Sequence, residues 1–392
     1  MKIGVNSLFL KPQQVGGAEF VLRGLLIGLA QIPDVEMYVF INQDLQQWLD
    51  KLNLGKSIKT IPIKIWINRF ISEAFQLPYL VNQFHLDGLI NTNYFTPWQF
   101  LLNTNCATII YDLNYLHHPN LFSWQKKLWL YLMHNLTLVN ATHAITISDF
   151  VKQDIQESYR SKQNVQIIYT PILWNRLSYE EVIVKSIEIP QSLNDRVSKN
   201  QLINHGFILS VANHYQHKNL ATLVKAFAKI SQESSNRCQL LKLVLVGQLP
   251  ESLVGMRRDR CDDIRQLVKD LNLEDRVYIT GYISDRELAW YYHHAQLFAF
   301  PSLFEGFGMP PVEAMGMGLP VLTTRCTAIP EVTMNLAEYV RNPMDVDEWC
   351  DRLTDMLTNR DRYAPSPDIV QLIRQTYDPL AIAKQYVALF QE

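Results

Sequence analysis

The stretch Phe300-Pro301-Ser302-Leu303-Phe304-Glu305-Gly306-Phe307-Gly308-Met309-Pro310-Pro311-Val312-Glu313-Ala314-Met315 decides how this chain is read. The run Leu297 to Pro301 leading into it is short, apolar and aromatic, as a buried strand is. Gly306 and Gly308 then let the backbone take unusual angles and approach a ligand closely. Pro310 and Pro311 suit the start of a helix, where a missing N–H is harmless. Gly318 and Pro320 stop that helix early. Strand, glycine loop and helix N-terminus follow in direct succession.

Such a helix start favours a phosphate-like anion, because its N–H groups and positive dipole end point into the loop. Glu313, in the first turns, can accept hydrogen bonds from a vicinal diol such as a ribose. Glu305, just before the glycines, can hold sugar hydroxyls beside the phosphate. One loop can therefore grip a sugar, a diphosphate and a ribose together, the outline of a nucleotide sugar.

Working outward, strand-like and helix-like patterns alternate in two runs, which predicts parallel sheets flanked by helices. Lys2 to Phe9, Val35 to Ile41, Gly88 to Asn91, Ala107 to Tyr111, Ala144 to Ser148 and Val165 to Tyr169 read as strands of the first run. Phe207 to Val211, Lys242 to Gly247, Val277 to Thr280, Leu297 to Pro301 and Pro320 to Thr323 read as strands of the second. Leu220, Leu223, Val224, Phe227 and Ile230 mark one face of a helix. Residues 174–206, with Lys185, Glu188, Asn194, Asp195, Lys199 and Asn200, are more polar and read as a linker with an insertion. The expected division is 1–173, 174–206, 207–375 and a C-terminal helix at 376–392. Its fold class is α/β with two Rossmann-like, doubly wound domains, in which ligands bind outside the carboxyl ends of the strands.

Bulk properties narrow the function. The chain has 392 residues, 48% hydrophobic and 19% charged, as an ordinary globular protein does. A formal charge of −2 argues against a nucleic-acid partner that needs a broad basic field. The five cysteines (Cys106, Cys238, Cys261, Cys326, Cys350) are scattered and give neither a disulfide framework nor a zinc site, which fits a cytoplasmic protein. The N-terminus reads as a first strand rather than a secretory signal, and no stretch predicts a transmembrane helix. Phe122 to Val139 carries Trp124, Trp129 and Tyr131 with Lys126 and Lys127. It reads as a packing helix, with peripheral membrane contact as the alternative.

Three further segments can carry chemistry. Lys218 follows a strand directly and precedes a helix that Asn219 can cap; a lysine there can neutralise a leaving diphosphate. Asp112, in Tyr111-Asp112-Leu113, sits at a strand end, where a carboxylate can orient an acceptor hydroxyl; a turn cap is the plainer role. Gly16-Gly17 lies between the first strand and its helix. The spacing Gly-x-Gly-x-x-Gly is absent, which argues against a dinucleotide cofactor. The pairs His117-His118 and His293-His294 lack a carboxylate at zinc-site spacing, so no metal is expected.

The Glu305–Glu313 segment resembles the Glu-x7-Glu motif of the retaining glycosyltransferases of family 4, also called glycosyltransferases group 1. Val277 to Val332 carries most of the likeness, and Lys218-Asn219, Tyr111-Asp112-Leu113 and Gly16-Gly17 match further elements. The resemblance implies a GT-B architecture, with the two domains facing a central cleft and the last helix crossing back to the first domain. It implies a mannosyltransferase-like enzyme that moves a hexose from a nucleotide sugar, GDP-mannose first among the donors, to a hydroxyl of a glycan or lipid-linked acceptor, without a cofactor or bound metal. Asp112, Lys218 and Glu305 are the implied catalytic residues. Gly16, Gly17, Asn213, Lys218, Glu305, Gly306, Phe307, Gly308, Met309 and Glu313 are the implied donor contacts. The chain departs from the family at Tyr111, where the family has histidine, and at Asn213 and His217, where it has arginine at one or the other position. These replacements keep open the alternative of a catalytically silent nucleotide-sugar-binding scaffold.

Overall fold

The computed structural model describes residues 1–12, 16–55, 58–65, 68–98, 101–159, 163–177, 202, 205–232, 240–248 and 263–391. They form two units, Met1–Leu173 with Gln375–Glu392, and Trp174–Arg374. Most of the stretch expected to be a linker, with Cys238 and Cys261 elsewhere, lies outside the described residues. Its opening residues are not linker in character: Trp174–Leu177 forms a 3₁₀ turn within the second unit, with Leu177 fully buried.

The first unit is built on a parallel sheet of β1 (Lys2–Asn6), β2 (Glu36–Asn42), β3 (Ile58–Ile63), β4 (Gly88–Asn91), β5 (Asn105–Ile110), β6 (His143–Thr146) and β7 (Gln166–Ile167). Their order is β3-β2-β1-β4-β5-β6-β7. The inner strands are continuous apolar runs, as parallel strands covered on both faces must be. β3 was not anticipated. Its polar alternation and Pro62 suit an edge, and it pairs Pro62 opposite Ile41. The first strand stops at Asn6, short of the expected Phe9. The helix Pro379–Ala388 belongs to this unit and packs on Gly17–Ala30. Asp378 caps it by accepting the N–H groups of Leu380 and Ala381.

The second unit holds β8 (Phe207–Val211), β9 (Lys242–Val246), β10 (Val277–Gly281), β11 (Leu297–Phe300), β12 (Val321–Thr324) and β13 (Glu338–Val340), in the order β10-β9-β8-β11-β12-β13. β13, three residues long, was also not anticipated. Leu220, Leu223, Val224, Phe227 and Ile230 are buried, as their spacing predicts, and share a core with Trp349, Leu353 and Met356. Each such side chain removed from water stabilises the unit by roughly 1.5–3 kcal/mol. In each sheet the strand order reverses once, between β1 and β4 and between β8 and β11, which is where ligands bind in this architecture.

One expectation is only half met. The helix Trp124–Asn140 buries Leu130, His134, Thr137 and Leu138, but Trp124 (68%), Leu128, Tyr131, Leu132 and Val139 (81%) stand exposed along its other side. It packs through one face and leaves a second apolar face outward.

Candidate active site

At the β8/β11 reversal the two strand ends are tied together. β8 runs into a loop that closes with the 3₁₀ turn Gln216–Lys218. The carbonyl of His217 in that turn accepts the N–H of Leu303 at 2.7 Å and the hydroxyl of Ser302 at 3.4 Å, both from the loop after β11. Thr324 Oγ1 donates to the Ser302 carbonyl at 2.6 Å, drawing in the end of β12. This frame brings Lys218 Nζ to 2.5 Å from Glu305 Oε1. The two side chains are 16% and 13% exposed, so the pair lies in a partly dry setting. An ammonium has three protons to give, and Glu305 takes one of them. The Glu305 backbone N–H is fixed by Thr327 Oγ1 at 2.9 Å.

The loop then turns into the helix Met309–Gly316, with prolines at its first positions. Gly308 has φ 96°, a region open to glycine but strained for other residues; Gly306, expected to share this role, has no positive φ. Phe307 is buried beneath the loop and Met309 is half-buried. Glu313 lies 4% exposed on this helix. Its Oε1 meets Arg176 Nη2 and its Oε2 accepts the Tyr292 hydroxyl at 2.9 Å. Arg176 Nη1 also reaches Asp285 Oδ1 at 3.2 Å. Burial, and then the Glu313 carboxylate, push the Tyr292 phenol well above its ordinary pKa, so it remains a donor. Burial opposes the charge of Arg176, but Glu313 and Asp285 more than offset it and raise its pKa.

Neither Arg176 nor Tyr292 was singled out in the sequence. Tyr292 sits in an aromatic helical run, Trp290-Tyr291-Tyr292, that reads as core. Arg176 lies in the polar stretch taken for a linker, 137 residues from its carboxylate, and no local pattern announces such a pair.

Around Lys218, Asn213 Oδ1 accepts the Gln248 N–H at 3.0 Å, which ties the loop after β8 to the loop after β9. His217, one of the two positions where the family has arginine, is buried and stacked on Tyr215, with ring centroids 5.6 Å apart. Asn219 takes a left-handed φ of 54°. Its Oδ1 receives the Thr222 hydroxyl at 2.7 Å and not a backbone N–H of the helix, so the side-chain cap expected of Asn219 is not formed.

Gly16, Gly17 and Asp112 belong to the first unit. Gly16 has φ 58° and sits immediately before the helix that Gly17 opens. Asp112 follows β5, and its Oδ1 accepts the Asn114 N–H at 2.9 Å, the turn-cap role. Tyr111 donates its hydroxyl to the Thr92 carbonyl at 2.9 Å. No local pattern announces what lies at the β1/β4 reversal. Glu73, fully buried on a π-helical turn, accepts Asn93 Nδ2 at 2.8 Å and Asn6 Nδ2 at 3.3 Å, with Arg69 Nε 3.3 Å from its other oxygen. Asn6 also donates to Asn91 Oδ1, and Asn91 to Thr108 Oγ1, both at 3.1 Å. Of the histidine pairs considered for metal, His117 Nε2 lies 2.8 Å from Asp154 Oδ2 and His294 Nδ1 lies 2.9 Å from the Trp290 carbonyl.

Comparison with known proteins bears on family and fold. Residues 194–366 match the family described as glycosyl transferases group 1. The O-antigen chain mannosyltransferase RfbU of Salmonella typhimurium is 25% identical over 287 residues, which are 71% of this chain and 70% of that protein. The O-antigen chain mannosyltransferase B of Escherichia coli is 26% identical over 65% of this chain and 61% of its own length. Among solved structures, Anabaena Alr3699/HepE in complex with UDP covers all of both chains with a TM-score of 0.71 at 17% identity, a likeness of fold.

Proposed function

Because this chain is a GT-B glycosyltransferase whose residues 194–366 belong to the group 1 family, we propose that it is a retaining hexosyltransferase. It takes a nucleotide sugar, GDP-mannose first among NDP-hexoses, and passes the sugar to a hydroxyl of a glycan or lipid-linked acceptor in polysaccharide synthesis. The observation that carries this reading is Lys218 beside Glu305, on tied loops at the β8/β11 reversal, with Glu313 on the helix that follows. The lysine supplies charge for the leaving diphosphate, and a cation in a partly dry site is worth far more than in water. Glu305 takes sugar hydroxyls, and Glu313 takes the ribose diol. Asp112 orients the acceptor hydroxyl. The leaving phosphate accepts the acceptor's proton as the new bond forms on the face the nucleotide leaves. No bound metal is required. The mannosyltransferase names of the two relatives support the choice of sugar.

The test is turnover. Purified protein is offered GDP-mannose, UDP-glucose, UDP-galactose, UDP-GlcNAc and dTDP-rhamnose, each with and without a mannose-bearing acceptor and EDTA. Acceptor-dependent release of GDP that survives EDTA, with retained anomeric configuration by NMR, is the expected result. Donor binding without release of any nucleotide would instead identify a silent scaffold.

We also infer that the outer face of Trp124–Asn140 rests on an anionic lipid surface. The exposed Trp124, Leu128, Tyr131, Leu132 and Val139 form an apolar, aromatic stripe, and the only ionised residues of this helix are Lys126 and Lys127. That combination suits the lipid interface. A groove of about 310 Å³ lined by Tyr115, Leu116, Pro119, Lys127, Leu128 and Tyr131 adjoins it. No helix among the described residues is long and apolar enough to cross a membrane. Co-sedimentation with vesicles containing phosphatidylglycerol should fall at least about tenfold in Trp124→Ser/Leu128→Ser, the apolar loss setting the scale. Unchanged sedimentation would refute the assignment.

A further inference from the structure

We propose that Arg176, together with Tyr292, is a positioning residue for donor recognition, holding the Glu313 carboxylate in one orientation for the two hydroxyls of the donor's ribose. The proposal rests on the reading of Glu313 as the ribose contact.

The geometry is specific. A carboxylate offers about four acceptor sites over two oxygens. Arg176 occupies one on Oε1 and Tyr292 one on Oε2. Gripped from both ends, the carboxylate cannot swing, yet each oxygen keeps a second site. A vicinal diol presents two O–H donors with the spacing to use both. The carboxylate is 4% exposed, and burying its charge unpaired would carry a large desolvation cost that the Arg176 guanidinium offsets. Asp285 at 3.2 Å steadies the guanidinium in turn.

A second set of contacts, independent of the ion pair, shows that the turn carrying Arg176 is built to brace this helix. Trp174 lies against Gly316, the last residue of the Glu313 helix; any Cβ there would stand 2.4 Å from the indole. Its Nε1 donates to the Arg374 carbonyl at 3.0 Å, and Arg374 Nε donates to the Gly316 carbonyl at 2.7 Å. Trp174 and Arg374 are the first and last residues of the second unit. The helix is thus held at its carboxylate by Arg176 and at its C-terminal end by the two segments that bound its unit.

The experiment compares binding of a nucleoside diphosphate with its 2′,3′-dideoxy analogue, and donor KM with kcat, in the full chain. In Arg176→Met the preference for the ribose form should fall about tenfold or more, and donor KM should rise by a similar factor with kcat within about threefold, as loss of a charge-assisted support implies. Arg176→Lys should recover part of the preference. Tyr292→Phe, which keeps the ring and its packing, should lose a smaller share, about threefold, and keeps the test alive if Arg176→Met does not fold. A folded Arg176→Met or Tyr292→Phe that keeps the full ribose preference, while Glu313→Ala abolishes it, would overturn the positioning role alone. A Glu313→Ala that keeps the preference would overturn the ribose reading itself, whatever the arginine variant does.

Discussion

The two strand reversals are built from opposite chemistry. In the second unit, the β8/β11 reversal presents charge: Lys218 on Glu305, and Arg176 on Glu313 and Asp285. In the first unit, the β1/β4 reversal is lined mainly by amides and hydroxyls, Asn6, Asn91, Asn93 and Thr108, around the buried carboxylate of Glu73 and its one cationic neighbour, Arg69. Burial, ahead of its partners, raises the pKa of that carboxylate. A lining that carries Lys218 offers positive charge to a diphosphate. A lining made mostly of amides meets hydroxyls at little electrostatic cost. Similar topologies are thus differentiated by which side chains close the strand ends, in keeping with the donor and acceptor roles proposed above.

The sharpest way to break this comparison is to remove one charge from each unit. Lys218→Ala should lower kcat by about 10²–10³, the usual loss when one stabiliser of developing charge is deleted. Asp112→Ala should leave nucleotide affinity within about twofold and lower transfer about tenfold, because one oriented hydrogen bond is at stake. Steady-state kinetics with titration of nucleotide diphosphate separates the two. If Asp112→Ala weakened nucleotide binding as much as Lys218→Ala, the acceptor role proposed for Asp112 would fail.

Much of the second unit's lining was legible, since it is local. Leu297–Phe300 and Met309–Gly316 lie where the apolar run and the paired prolines put them, and Lys218 follows its strand directly. Contacts between distant segments were not legible. Arg176 meets Glu313 across 137 residues, and the buried environment of Glu73 is assembled from Asn6 and Asn93, 67 and 20 residues away. A polar residue in such a network looks like any surface residue until the chain folds. β3 and β13 escaped for a different reason. An edge strand with Lys59 and Pro62, and a strand of three residues, hold too little apolar pattern to be heard above a loop.

The units also carry matched liabilities to acid, which gives a finer test of how separately they behave. Each holds a buried histidine that burial keeps neutral. In the first unit burial pushes His134, 3.1 Å from the Tyr159 hydroxyl, down to about 3. In the second, burial and then Arg265 push His214 down to about 4. Neither ring nitrogen of His214 has a hydrogen-bond partner among the described residues. The sign follows from linkage: the unfolded chain binds the proton first, near 6.5, so this contribution to stability is intact above that pH and is lost as pH falls toward the folded value. Between pH 7 and pH 5 each histidine should therefore cost its own unit about 2 kcal/mol. Urea unfolding followed with separate probes should show both units weakening by similar amounts. His134→Gln should flatten the pH slope of the first unit's transition and leave that of the second, and His214→Gln should do the reverse. If either substitution flattened both slopes, the units would unfold as one cooperative body, and the contrast between them would be one of surface chemistry alone, not of independent folding.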